Sequence, residues 1–336
     1  MSQALPHAHG GPPLLAELRR EPGDFRVEEV LGFEPDGSGE HVFVWIEKTG
    51  ANTDWVARQL ARKLGLPPIA IGYAGLKDRH AITRQYLSVQ LGRRAEPDWQ
   101  ALDIEGVRVL TATRHARKLK RGAHRANRFL IRLRALRGER ERAQGVLDAI
   151  AAHGVPNYFG EQRFGHEAGN VDLARRLFAG ARLPREQRGI ALSAARSQLF
   201  NAVLAQRVQA ANWDRALDGE VFMLAGSHSL FGPEPPDAAL AQRVADHDIH
   251  PTGPLWGRGE LRSGGAVRAI ESACAEAEGD LARGLAAEGL EQQRRALRLL
   301  PQALHAQWEA DELVLAFELE TGAFATTVLR ELARWP

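Results

Sequence analysis

The period of the apolar residues changes twice along the chain, and this limits the folds it can adopt. From Leu14 to Arg134 short alternating runs dominate. Phe25, Val27 and Glu29 share one side of a run over 24–30, and in 41–48 Val42, Val44 and Ile46 oppose Phe43, Trp45 and Glu47. From about residue 155 to 300 the spacing becomes helical, as in Leu199, Phe200, Val203, Leu204 and Val208. After Pro301 alternation returns in Leu313, Leu315, Phe317 and Leu319, then a turn at Gly322 and a helix over 326–333. Strands interrupted by a helical block and then resumed predict an insertion, with the last strand rejoining the first sheet. The expectation is an α+β protein with one domain from 1–154 plus 300–336 and a second, largely helical one from 155–299. Two domains suit 336 residues.

Local signals fill in this frame. Glu34 to Gly39 is a turn by composition. Asn52 or Thr53 can cap a helix with Trp55, Val56, Leu60 and Leu64 on one face; Gly65 ends it, and Pro67-Pro68 prevents its continuation. Strands are expected at 69–71, 85–89, 107–110 and 127–134, and a helix through Val146, Leu147 and Ile150 ends at Gly154. In the helical block, helices are expected at 193–212, 237–245 and 266–298, with loops around 232–236 and 251–259. Residues 1–13, rich in His, Gly and Pro, read as a flexible lead-in without a signal-peptide core.

Composition excludes several classes. No apolar run approaches the roughly 18–20 residues of a membrane span. Cys274 is the only cysteine, which rules out an internal disulfide and a cysteine-based metal site and suits a cytoplasmic protein. His7-Ala8-His9 and His247-Asp248-Ile249-His250 lack a ligand framework, so no metal is expected. There is no GxGxxG, P-loop or GxSxG pattern, hence no support for a nucleotide cofactor or a serine nucleophile.

Charge distribution is more informative than the net charge of +2. Arg114 to Arg142 holds twelve Arg or Lys against Glu139 and Glu141, the footprint of a phosphate-rich partner. The chain has 39 Arg and 5 Lys, so clustering counts for more than abundance. Within the cluster, Phe129, Ile131 and Leu133 share one strand face while Arg128, Arg132 and Arg134 take the other, a sheet with one apolar and one cationic side.

The candidate reactive group is Asp78, in the loop Gly72-Tyr73-Ala74-Gly75-Leu76-Lys77-Asp78-Arg79-His80 between two expected strands. Lys77 and Arg79 flank it; cations within about 4–6 Å favour the ionised form of a carboxylate, which can act as a nucleophile. Gly72 and Gly75 would permit a sharp turn or a close approach. Asn127 can read a pyrimidine edge, and Phe25 and Phe324 stand beside turns where a ring could stack on an extruded base. By residue type alone, Phe25, Phe129 and Phe324 read first as core residues, and Asn127 can be a turn residue. A non-catalytic RNA-binding protein also stays open, although a binder gains nothing from a carboxylate among phosphate-seeking cations.

Four separated blocks resemble the tRNA pseudouridine synthase D (TruD) family. They are Gly75-Leu76-Lys77-Asp78-Arg79-His80-Ala81-Ile82-Thr83-Arg84-Gln85; Val155-Pro156-Asn157-Tyr158-Phe159-Gly160-Glu161-Gln162-Arg163-Phe164-Gly165; Leu192 to Ser197 with Phe200-Asn201; and Gly322-Ala323-Phe324-Ala325-Thr326. The resemblance runs from Asp24-Phe25 to Thr327. It implies a pseudouridine-synthase-type mixed, mostly antiparallel sheet flanked by helices, with a largely helical α/β TRUD domain inserted. It also implies isomerisation of uridine 13 of tRNA, a reaction that requires no cofactor. The residues leave open another uridine or another RNA as target, and a monomer without an obligate protein partner or membrane is the default expectation. The nucleophile falls on Asp78 and base contacts on Phe25, Asn127 and Phe324; Phe129 completes an Asn-x-Phe motif, and Lys77, Arg79 and Arg19 are supporting cations. Arg19 stands where the family often has Lys, and Ala126 where Gly usually precedes the Asn. If that backbone required a positive φ, Ala126 would cost stability.

Overall fold

Alternation in the first part of the chain does become a sheet. A computed structural model describes residues 5–335; residues 1–4 of the lead-in lie outside the described residues. The strands are β1 (Leu14–Leu18), β2 (Phe25–Val30), β3 (His41–Thr49), β4 (Ile71–Tyr73), β5 (Ile82–Gln90), β6 (Val107–His115) and β7 (Ala126–Gly138). Helix α1 (Thr53–Lys63) lies between β3 and β4, and α2 (Arg140–His153) follows β7. Then come β8 (Val155–Pro156), α3 (Gly169–Phe178), α4 (Arg185–Gln209), β9 (Glu220–Leu224), β10 (Leu230–Glu234), α5 (Ala238–Ala245) and β11 (Ile249–Leu255). The chain continues through α6 (Gly265–Ala277), α7 (Gly279–Ala287), β12 (Gln293–Ala296) and β13 (Arg298–Leu299), and ends with β14 (Gln302–Glu309), β15 (Glu312–Glu320), α8 (Ala325–Leu332) and β16 (Ala333–Arg334).

Contacts divide the molecule into two units. One holds residues 13–143, 301–325 and 333–335 of the described chain. Its sheet runs β14-β15-β7-β2-β5-β3-β6, with β1 on β7 and β16, and β4 on β5. All pairs are antiparallel except β2 with β5 and β1 with β16. The late strand β15 pairs with β7 from Ala126 to Leu133, as the returning alternation predicts. Helix α1 covers one part of the sheet: Val56 and Leu60 pack with Val42, Val44, Ile46, Leu87 and Val89. Elsewhere Phe129 stacks on Phe317 with centroids 5.5 Å apart and meets Phe25 edge-on at 6.2 Å.

The other unit holds 144–300, 326–332 and the described part of 1–12. Around α4 it packs α3, α6 and α7 through Ala194, Leu199, Ala275, Leu281 and Leu285. Three expectations change here. Helix α4 begins at Arg185, eight residues early, since nothing in 185–192 breaks a helix. The helix expected over 266–298 is α6 and α7, broken at Glu278 with φ −113°, followed by strand β12. The loop expected at 251–259 begins as strand β11, where Pro251 and Pro254 conceal a β pattern from propensity. From residue 5 onward the lead-in is also tied down. Ala8 and His9 donate backbone N–H groups to Glu331, and Leu5 and Ala8 pack against buried aromatics including Tyr158 and Trp213.

Among the described residues no helix is long and apolar enough to cross a membrane. The ring of Phe317 is 1% exposed and stacked on Phe129. Phe317→Ala should therefore destabilise the protein by about 3–5 kcal/mol, read as a lower urea midpoint with unchanged slope.

Candidate active site

The loop carrying Asp78 is fastened to the sheet from below. A Cβ at Gly72 would come within 2.5 Å of the Leu119 carbonyl oxygen and 2.6 Å of Ser88 Oγ, so this glycine permits close approach rather than a turn. The Lys77 N–H donates to Thr53 Oγ1 at 3.0 Å, the Thr53 hydroxyl to Gln85 Oε1 at 2.8 Å, and Gln85 Nε2 to the Gly75 carbonyl at 3.3 Å. Lys77 Nζ meets Glu29 Oε2 at 2.7 Å with both side chains buried. Burial raises the Glu29 pKa, against the opposing pull of Lys77.

Asp78 itself faces outward, its side chain 27% exposed. Its Oδ1 accepts the His80 N–H at 3.0 Å, and Oδ2 lies 2.6 Å from Arg19 Nη2. The Arg19 guanidinium sits 4.2 Å from the centroid of the Phe25 ring, so one side chain spans carboxylate and aromatic. Arg19 adopts φ 62°, a left-handed conformation costing roughly 1–3 kcal/mol outside glycine. The ion pair and the ring contact are what hold it there.

The flanking cations do not play the part their positions suggest. Lys77 turns into the sheet toward Glu29, while Arg79 donates Nε to the Gly50 carbonyl at 3.1 Å. Successive residues of an extended loop point their side chains to opposite sides, which directs Lys77 inward and Asp78 outward. Arg19, distant in sequence, is the cation on the carboxylate. Lys48, Glu29, Thr53 and Gln85 also support the loop, and residue type alone did not mark them. Lys48 was detectable: it follows Val42, Val44 and Ile46 at every second position, a charge at the end of an apolar face.

Asn127 lies opposite Glu29 in the pairing of β2 with β7. Its Nδ2 is 3.2 Å from His124 Nε2, while its Oδ1 is buried with no hydrogen-bond partner among the described residues. His124 is 6% exposed, and burial, helped by the charge of Lys77, lowers its pKa to about 4. The ring is thus neutral near pH 7, and the amide nitrogen donates to Nε2. Ala126 has no positive φ, so its Cβ does not disturb Asn127. The turn after β15 is tied to the same segment: Thr321 N–H donates to the Arg125 carbonyl and its hydroxyl to that of His124. Phe324, three residues further on, is 38% exposed. Phe25 and Phe129, at 4% and 7%, are packed in the core, and Arg19 covers one side of Phe25.

The cationic side of β7 is largely neutralised. Arg128 pairs with Glu28 and Glu318, Arg132 with Glu309 and Glu312, and Arg134 with Asp24 and Glu312. Neighbouring strands supply these acids, so a one-strand reading overstates the positive potential. Arg117 and Lys120, in the loop before β7, are exposed and make no ion pair among the described residues.

With this geometry in place, comparison with known proteins is decisive. The family model for tRNA pseudouridine synthase D (TruD) matches residues 6–180 and 174–332. The tRNA pseudouridine synthase D of Xanthomonas axonopodis pv. citri is 49% identical over 346 residues, covering 98% of this chain and 94% of that protein. The chain belongs to the TruD family. The Methylococcus capsulatus protein of the same name is also 49% identical, covering 99% of this chain and 96% of its own. A Methanosarcina mazei crystal structure, solved as a candidate TruD, aligns with TM-score 0.75 at 22% identity over 97% of this chain and 95% of that one, a likeness of fold. The mixed α+β architecture is therefore that of TruD.

The buried imidazole sets a pH response. In the folded protein His124 stays neutral down to about pH 4, whereas an unfolded histidine takes up its proton near 6.5. The unfolded state therefore binds more protons between these values, and folding stability falls as pH drops through that window. Urea unfolding from pH 7 to pH 4 should show this loss in the wild type. It should be reduced in His124→Leu relative to that variant's own stability at pH 7.

Proposed function

We propose that this protein isomerises uridine 13 of tRNA to pseudouridine, with Asp78 as the nucleophile. The observation that carries the reading is a solvent-reachable carboxylate, held by Arg19 and the His80 N–H on a loop fastened to the sheet. Membership of the TruD family and the names of its relatives support the reaction and the tRNA substrate.

The target uridine must leave its stack, at a cost of a few kcal/mol, before Asp78 can reach it. The exposed ring of Phe324 offers a stacking surface, and stacking contributes about 1–3 kcal/mol per base. Asn127 carries an unpartnered amide oxygen that could accept the N3–H of uracil, which donates where N3 of cytosine accepts, once the buried atom is uncovered. Asp78 then attacks the nucleoside at C1′ or C6. The C1′–N1 bond breaks, the uracil turns within the pocket and C5 bonds to C1′; the bond to Asp78 breaks and frees its carboxylate, and the C5 proton is lost while N1 is protonated. Product and substrate are isomers, so the atoms balance with no co-reactant. Exposed Arg117 and Lys120 are suited to tRNA phosphates, and we place the enzyme in the cytoplasm, acting as a monomer.

Asp78→Asn should abolish pseudouridine formation in purified tRNA while changing tRNA affinity less than about threefold, because the near-isosteric amide cannot attack. Turnover in the pure variant would remove Asp78 from this role. Phe324→Ala should lower the rate without shifting the urea midpoint. Coincident loss of stability would make the ring a packing residue instead.

A further inference from the structure

Lys48 is the last residue of an apolar series, Val42, Val44 and Ile46, on β3, and its side chain is fully buried. A buried ammonium is costly and is retained where every donor is used. Here all three are: Lys48 Nζ donates to the carbonyls of Ala51 at 2.7 Å, Asp78 at 2.8 Å and Lys77 at 3.3 Å. Two of these acceptors are the successive carbonyls on either side of the Asp78 amide–Cα unit, so one charged group clamps the backbone on both sides of the carboxylate-bearing carbon. We propose that Lys48 is a positioning residue for catalysis, holding Asp78 at the angle from which it can attack. The inference rests on Asp78 being the nucleophile.

The surroundings isolate this role. Lys77 is engaged with Glu29, Arg79 with the Gly50 carbonyl, and the Asp78 carboxylate with Arg19. Asp54 of α1 binds Tyr73 and Arg121, and Glu47, the neighbour of Lys48 on β3, binds Arg84 and Arg108. Among the described residues no carboxylate pairs with Lys48, whose hydrogen bonds go to main-chain oxygens. Burial lowers its pKa to about 8, while the Asp78 charge opposes that shift and Lys77 adds to it. Above that pH the amine keeps two N–H donors for three carbonyls, and the clamp loosens.

Single-turnover conversion of an unmodified tRNA transcript, with enzyme in excess, separates positioning from plain stability. At saturating enzyme a misplaced Asp78 lowers the limiting rate constant, whereas partial unfolding only raises the total enzyme concentration needed to reach that limit. Lys48→Met should reduce the rate constant by about 100-fold, the scale of an ångström-sized misplacement, with tRNA affinity within about threefold. If this variant fails to fold, the wild type and Lys48→Arg carry the test. The wild-type rate constant should fall on the alkaline side with a midpoint near 8, and Lys48→Arg, which does not titrate there, should lose that limb. A Lys48→Met limiting rate constant near wild type at saturating enzyme, or an unchanged alkaline limb in Lys48→Arg, would overturn the inference. Asp78→Asn in the same assay keeps the two claims apart. If it still turns over, the functional reading falls; if it is inert and Lys48→Met is not slowed, only the positioning role falls.

Discussion

A single buried ion pair, Lys77 with Glu29, joins the reactive loop to the sheet, and much else in this unit depends on it. The pair is short, at 2.7 Å, with both side chains withdrawn from water. Losing one partner of such a pair typically costs about 3–5 kcal/mol, because the other charge is stranded. Glu29 can sit beneath the loop because β2 pairs parallel with β5 and antiparallel with β7, placing Glu29 opposite Asn127. A one-residue slip would turn Glu29 to the other face and leave Lys77 unpaired. The position of Asp78 is therefore a consequence of strand register. Neutral links through Thr53 and Gln85 then restrict what movement remains.

Charge in this unit is arranged in two tiers. Beneath the loop, Lys77, Glu29 and Lys48 are buried, Lys77 donating to Glu29 and Lys48 to three carbonyls. On the outer side of the sheet, Arg128, Arg132 and Arg134 of β7 are matched by carboxylates from β2, β15 and the segments beside them. Such surface pairs add little stability individually, about 0–1 kcal/mol. They do cancel the field that a row of arginines would otherwise project. Among the described residues, exposed Arg117 and Lys120 pair with no carboxylate and keep their field. Arg19, paired with Asp78, belongs to neither group.

The architecture was legible in the sequence wherever one short-range rule governed the outcome. Alternation found β2, β3 and β15, and Gly65 with the following prolines ended α1. The rules failed where two signals conflicted, as at Pro251 and Pro254 in β11, or where a lone glycine inside a helical pattern marked a break, as Gly279 does between α6 and α7. The site divides in the same way. Asp78 and Asn127 stand out by residue type and neighbourhood, but Glu29 becomes a partner of Lys77 only once strand order is known. The reading of Lys77 and Arg79 as cations beside Asp78 failed because adjacency in sequence is not adjacency of side chains. The true partner, Arg19, lies 59 residues earlier and arrives through tertiary structure.

Arg19 shows how one substitution can be absorbed without altering the site's logic. A compact lysine ammonium could pair with Asp78 but could not lie flat on Phe25 with the same planar group. The guanidinium does both, at 2.6 Å from the carboxylate and 4.2 Å from the ring centroid. That double use accounts for the burial of Phe25 and for a left-handed backbone at residue 19. It also explains why Phe25 presents no open face on this side: the ring supports the cation that holds the carboxylate. For a base to stack there, Arg19 would have to leave both partners together, so stacking at Phe25 and pairing at Asp78 are coupled. Phe324, exposed on a turn tied to His124 and Arg125, carries no such linkage and can meet a base while Asp78 stays in place.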